Sequence, residues 1–477
     1  MRAGFARAAA VLLVSQIHIA AAAGPSDRWF EDVKKSATPE QLYTFLYALP
    51  KGGDLHNHLT GAALSEWMFD AALATEKQGY TYYTKVAIHN CEPYGTDEFG
   101  PAPYLLLFRN ITAAGYEKLN ECERSEFKRL QDLDATEKQG WLDSLRLDKP
   151  YEGRNEMFNA HWQRMNDLWT NPYWTADLLY KNMEAFGKEG VVYLETENAV
   201  TGFQKPDGSE FSPEAIAAMF RSKLASPEWR ATGVEVRFQN TILRFAPNAE
   251  QSLKKYYAIN DQYRDLFVGI NMVGREDDDK GYPLRFLATL RELRHRYPDI
   301  KLSVHAGEVD EPNRHVRDTL LLGADRIGHA VNLITDPDTM LLMRHGPYLL
   351  EINLISNLLL EYVKDYSQHP FPEYLRIGIP VALSTDDRGM FESNMTDEYF
   401  VAVREFNLSW SEIVQLGRNS LEHSFVEDAV KQKLIADYDK RVAGFAQRFQ
   451  RGGWSSLKAV KPVQYGFTCR RYSVCFK

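Results

Sequence analysis

From about Val191 onward, short runs rich in β-branched residues alternate with segments of helical periodicity, at the intervals of βα units. The runs are Val191–Glu195, Val234–Phe238, Phe267–Asn271, Leu302–His305, Arg326–His329, Tyr348–Ile352 and Val381–Ser384, and the segment ending in Asp54-Leu55-His56 makes an eighth. Eight strands with intervening helices predict an α/β fold, a (β/α)8 TIM barrel. No internal repeat or low-complexity tract competes with that count.

The spacing breaks once. Between His56 and Val191 the chain is far longer than one βα connection needs, which predicts a long insertion after the first strand. Residues 69–155 are rich in Tyr, Glu and Lys, hold Cys91 and Cys122, and read as an insertion subdomain with helices. Residues 24–68 then supply an N-terminal segment and the first barrel strand. Residues 156–449 supply the rest of the barrel and the C-terminal helices, and 450–477 form a non-periodic tail. Met157–Met165 has the apolar spacing of a helix, and helix is predicted again from about Asp397 to Phe449.

The N-terminus has a pattern of its own. Arg2 and Arg7 flank the start of an apolar run, Ala8 to Val14, and small residues follow at Ala20 to Ala23. Residues 1–23 read as a signal peptide cleaved near Ala23 and Gly24, because Gln16 and His18 leave the apolar stretch short of the roughly 20 residues that a membrane span needs. The expected location is outside the cell or in a periplasm. Four cysteines suit such an oxidising compartment; of the three pairings that sequence permits, the most local is Cys91 with Cys122 and Cys469 with Cys475. With 56 Lys and Arg against 65 Asp and Glu, the net charge of −9 argues against general affinity for nucleic-acid phosphates or anionic membranes. A small-molecule ligand is expected, and no later segment is apolar enough to span a bilayer.

Chemically capable side chains gather at the ends of the strand runs, where a barrel builds its active site. His56-Asn57-His58 closes the first run, and side chains at i and i+2 of a strand point the same way, so both imidazoles can share a metal. His305 ends the fifth run and Asp386 the eighth. Three imidazoles and one carboxylate suit one Zn2+ with room for a water. Each residue also has a bland reading, a ring satisfied by backbone or an aspartate capping a helix, but four strand ends converging makes the bland reading improbable as a set. Glu308, three residues after His305, is placed to donate a proton during attack on a ring. His329, ending the sixth run, fits as a base or hydrogen-bond orienter for the water, and Asp387, adjacent to Asp386, as a hydrogen-bonding group for substrate.

Taken together, Lys51-Gly52-Gly53-Asp54-Leu55-His56-Asn57-His58, Val304-His305-Ala306-Gly307-Glu308, Arg326-Ile327-Gly328-His329 and Ser384-Thr385-Asp386-Asp387 resemble, in order, four motifs of the adenosine deaminase family of metal-dependent hydrolases. The resemblance covers His56 to about Phe391. It implies zinc held by His56, His58, His305 and Asp386, a proton from Glu308 to the purine ring, a water oriented or deprotonated by His329, and the base bound by Asp387 and the backbone amide of Gly274. The implied reaction is the conversion of adenosine, and 2′-deoxyadenosine with it, to the inosine product and ammonia. Rival readings are deamination of another aminopurine or of a methylthio-nucleoside, and a secreted binding protein with secondary catalysis. The other zinc deaminase class, with its P-C-x-x-C signature, is excluded because the chain has no C-x-x-C.

The signal peptide, the cysteine-bearing insertion and Ile355-Ser356-Asn357 are similar to the secreted, growth factor-related branch of that family. The branch implies a homodimer through an N-terminal helical segment and contact with a receptor or glycan through the insertion. Here the stretch from Gly24 to Leu49 is short for such a segment. Thr60 stands where the intracellular enzymes have a ribose-binding aspartate, and Arg388 replaces the proline that usually follows the paired aspartates; both bear on sugar recognition and site shape. Glu195 and Glu197 are candidates for a ribose hydroxyl. Phe158 and Trp162 are candidates to roof the base, although core packing is the commoner role for such rings.

Overall fold

The computed structural model describes residues 27–91, 96–97, 100–101, 105–277 and 280–476, so the signal-peptide reading of residues 1–23 lies outside the described residues. Eight parallel strands follow one another around a single sheet: β1 (Gly52–Asp54), β2 (Val191–Glu197), β3 (Glu235–Leu243), β4 (Phe267–Val273), β5 (Lys301–Ala306), β6 (Arg326–His329), β7 (Leu349–Ile352) and β8 (Val381–Leu383). Each pairs in parallel with its sequence neighbour. Just past the end of β8, Asp386 donates its amide to the His56 carbonyl at 3.0 Å, and a parallel bridge joins Asn57 to Asp386. These contacts bring the last strand back to the first, as the strand count predicts for a (β/α)8 TIM barrel.

The strands run further than their apolar cores suggest. β2 continues through Thr196 to Glu197 and β3 to Leu243, because their polar residues face partners inside the protein and not water. One layer inside the barrel is ionic: the buried Arg326 guanidinium lies 2.6 Å from Glu195 on one side and 2.6 Å from Glu351 on the other. A buried charge is tolerated only when paired in this way.

Between β1 and β2 the chain forms a three-stranded antiparallel sheet in the order Asn110–Thr112, Tyr82–Lys85, Phe127–Arg129. The disulfide Cys91–Cys122 clips this region, and the helix Pro172–Lys188 then leads into β2. The predicted helix at Met157–Met165 divides into a π-helical turn, Met157–His161, and an α-helical turn, Trp162–Met165. The wider turn is a local distortion often found beside functional sites. The long C-terminal helical region is three helices, Met395–Phe406, Trp410–Glu422 and Asp428–Gly452. The first break falls where Asn407 takes a left-handed conformation (φ 54°) and Ser409 caps the next helix. The tail is not wholly irregular, since Phe467–Tyr472 is helical and is closed by Cys469–Cys475.

At the other end, the helices Arg28–Ser36 and Pro39–Ala48, the second opened by a capping box of Thr38 and Gln41, turn their aromatic faces onto the C-terminal helices. Trp29 and Trp410 have ring centroids 4.8 Å apart, as do Phe45 and Phe449. The apolar face of the N-terminal segment is thus covered within the same chain. Among the described residues no helix is long and apolar enough to cross a membrane.

Candidate active site

The loops after β1 and β8 and the end of β5 bring His56, His58, His305 and Asp386 together, with one potential ligand atom from each lying within 4.8 Å of the others. Nε2 of His58 lies 3.3 Å from Nε2 of His305 and 3.1 Å from Oδ1 of Asp386, and Nε2 of His56 lies 3.6 Å from the same oxygen. Ligands about 2.1 Å from a tetrahedral zinc ion are about 3.4 Å from one another, so this spacing is that of a zinc site.

The rings are also presented the right way round. Nδ1 of His56 bonds Glu351 at 2.9 Å, Nδ1 of His58 bonds Glu197 at 2.8 Å, and Nδ1 of His305 bonds Asn271 Oδ1 at 3.0 Å. An acceptor at each Nδ1 keeps the hydrogen there and leaves the Nε2 lone pair facing the centre. Nε2 of His56, fully buried, makes no hydrogen bond among the described residues. Burial drives the His56 pKa down, but the nearby Asp386 and Glu351 carboxylates outweigh burial and bring it up to about 10. The spot therefore favours positive charge, and the four residues fit a zinc ion.

Beside this cluster stand the residues read as chemical. Glu308, His329 and Asp386 form a second close group, with His329 Nε2 3.7 Å from Glu308 Oε1. Burial, reinforced by the Asp386 carboxylate, pushes Glu308 well above the usual carboxyl range. Burial and the neighbouring His56 ring hold His329 well below the usual imidazole range. Burial also raises Asp387, whose Oδ1 has no hydrogen bond among the described residues. His329 and Asp386 both adopt left-handed backbone, with φ of 63° and 53°. For residues with a Cβ that conformation costs about 1–2 kcal/mol and is concentrated at functional sites.

The remaining sequence candidates divide. Gly274 sits at the end of β4 with φ 102°, and its carbonyl is gripped by Arg244, which also donates to the His305 carbonyl. Of the two candidates for a ribose hydroxyl, Glu195 is paired within the ionic layer, bonding Arg326, Tyr193 and Gln239. Glu197 meets His58 and, at 3.0 Å, Thr241 through Oε2, and keeps Oε1 without a hydrogen bond among the described residues. Arg388 is turned away from the cluster: it donates to Asn182 at 3.0 Å and lies 4.1 Å from the Phe186 ring, both on the helix before β2. Trp162 meets the His58 ring edge-on at 5.6 Å and so borders the cluster, whereas Phe158 has the Arg275 guanidinium 5.8 Å from its ring; both aromatics also pack on the core.

Two supports had no motif. Glu351 belongs to β7, and its only sequence signal is a carboxylate between Leu350 and Ile352 in a wholly buried strand. Glu276 accepts the amides of Gly307 (3.1 Å) and Glu308 (2.9 Å) and Nδ1 of His315 (2.6 Å), which fixes the loop carrying Glu308.

Residues 148–441, more than half of the chain, match the family model described as Adenosine deaminase. The chain belongs to the adenosine deaminase family. It is 35% identical over 189 residues to the adenosine deaminase of Plasmodium gallinaceum, a match spanning 39% of this chain and about half (51%) of that protein. Over 280 residues it is 28% identical to the adenine deaminase of Chelativorans sp. (strain BNC1), covering 55% of this chain and 82% of that one. Among solved structures, an amidohydrolase from Burkholderia ambifaria with bound Zn shares the fold at a TM-score of 0.60 and 18% identity, over 85% of this chain and 94% of that one. The family match begins after His56 and His58, so those two candidate ligands lie outside it.

Proposed function

We propose that the protein is a zinc-dependent hydrolase that deaminates a purine nucleoside, with adenosine and 2′-deoxyadenosine the leading substrates. The observation that carries the reading is the joint placement of a His56, His58, His305, Asp386 cluster beside a carboxyl group, Glu308, whose buried surroundings favour the protonated form. Zinc held there supplies Lewis-acid activation of a water molecule. Glu308 gives its proton to the ring nitrogen next to the amino-bearing carbon as oxygen adds to that carbon. His329 faces the incoming oxygen, and Asp387 accepts a hydrogen bond from the base through Oδ1. The proton that water gives up goes to the departing amino group, so that the C–N bond breaks with loss of ammonia and the oxo product remains.

Family membership and the relatives named for adenosine and adenine support the purine class. Release of ammonia from adenosine, 2′-deoxyadenosine, adenine, a methylthio-nucleoside and N6-substituted AMP tests the substrate. The reading is overturned when zinc-loaded protein converts none of them. Turnover of adenine alone assigns the free base instead.

We also propose that the protein is exported and acts in an oxidising compartment. All four cysteines of the chain are paired in the two disulfides, as expected outside a reducing cytosol. Sequencing of the mature N-terminus tests this, with Gly24 the expected first residue. A growth factor-like relationship, with a homodimer and a receptor or glycan bound through the disulfide-clipped insertion, is the accompanying proposal. Sedimentation of the purified protein and cell-surface binding of an insertion-deleted variant test it.

A further inference from the structure

A chain of hydrogen bonds leads into the active site from the helix Phe371–Ile377. The amide of Phe371, at the first turn of this helix, is one of the donors that a helix cannot satisfy internally. It donates to Nδ1 of His369 at 3.1 Å. A backbone N–H only donates, so Nδ1 of His369 is the bare nitrogen and Nε2 carries the hydrogen. That Nε2 lies 3.0 Å from Oδ1 of Asn357, which only accepts. The other end of the Asn357 side chain is therefore its amide, and it donates to Nδ1 of His329 at 2.9 Å. The Asn353 amide nitrogen lies against the same ring, 3.3 Å from Nδ1 and 3.5 Å from Nε2. Every residue in the chain is buried, with His369 at 3% exposure and Asn357, Asn353 and His329 at 0%. Burial keeps His369 neutral, its pKa lowered to about 3.

We propose that Asn357 and His369 are positioning residues that hold His329 in the tautomer with hydrogen on Nε2, so that this ring serves the reacting oxygen as a hydrogen-bond donor and not as a base. The inference rests on the deaminase reading for the identity of that oxygen, but not for the tautomer itself. With the Asn357 amide donating to Nδ1, the lone pair of His329 points away from the site. Nε2 then has no lone pair with which to take a proton from water. Forming the doubly protonated ring would set an N–H against the Asn357 amide, donor against donor, in a place without solvent. The dual reading of His329 as base or orienter thus narrows to the orienter, and the tautomer is set by a helix terminus reached through two side chains.

Histidine-selective 15N NMR of zinc-loaded protein reads the tautomer directly. The expected spectrum has His329 protonated at Nε2 and bare at Nδ1, assigned by loss of the signal in His329→Asn. Protonation at Nδ1 overturns the proposal, whether or not any aminopurine is turned over. In Asn357→Asp the carboxylate accepts from both rings and reverses the His329 tautomer, so kcat should fall by about 10²-fold or more with KM and zinc content unchanged. His369→Gln places an oxygen at the Nδ1 position and an amide at the Nε2 position. It should keep kcat within about threefold, whereas His369→Leu loses at least about tenfold. Equal loss in the Gln and Leu variants, or full kcat in Asn357→Asp, overturns the assignment.

Discussion

Glu197 Oε2 lies 2.8 Å from Nδ1 of His58, and Nε2 of the same ring faces Asp386 at 3.1 Å. Through that oxygen the carboxylate two residues beyond Glu195 on β2 aims a candidate ligand. Glu197→Gln keeps the shape but replaces the charged acceptor, and zinc affinity should weaken by about 10–100-fold. A competition titration against a fluorescent chelator measures it, and activity should return when zinc is added in excess.

The surroundings of Glu308 set a direction for the pH profile. Its pKa is raised well above the carboxyl range, by burial first and Asp386 second, so the proton-bearing form persists to higher pH than in an ordinary carboxyl group and is lost as pH rises through the raised value. The alkaline limb of kcat should follow that loss. Glu308→Gln should lower kcat by about 10²–10⁴-fold with zinc content unchanged, measured by the absorbance change of adenosine conversion and by metal analysis. Near wild-type turnover in this variant would exclude the proton-donor role.

Metal removal should be felt by the fold as well as by the chemistry. The four candidate ligands come from the ends of β1, β5 and β8, so a bound ion would join distant parts of the barrel. At free zinc about 100-fold above Kd the folded state should gain about 2.7 kcal/mol, seen as a higher urea midpoint for the zinc-loaded than for the chelator-treated protein. Coincident midpoints would mean that the cluster does not bind zinc in the folded state.

The Cys91–Cys122 bond closes a 31-residue separation within the insertion. Replacing both cysteines with serine should cost about 3 kcal/mol, expressed first as faster proteolysis between the barrel strands β1 and β2. Zinc binding should survive, because no ligand of the cluster lies in the insertion. Loss of metal in the double variant would show that the insertion supports the site.

Much of this arrangement is legible in the sequence because a barrel puts its chemistry at strand ends, and His56, His58, His305, His329 and Asp386 all occur there within short motifs. Their supports escape for the opposite reason. Glu351 lies 295 residues from the His56 ring it orients, and His369 reaches His329 only through Asn357, so neither pair has a spacing to detect. Glu195 and Glu197 illustrate a second limit. Alternation shows that both face inward, but height along the barrel axis decides that one meets Arg326 and the other His58. The π-helical turn at Met157–His161 is likewise invisible to apolar spacing, which that segment satisfies as an ordinary helix.

The left-handed backbone at His329 and Asp386 carries an evolutionary consequence. At both positions glycine, or to a lesser degree asparagine, would relieve backbone strain worth about 1–2 kcal/mol. The fold and the reaction thus pull these two sites in opposite directions. A lineage of this barrel released from catalysis, and kept only for its surface, should drift to small residues at 329 and 386 and become harder to unfold as it falls silent.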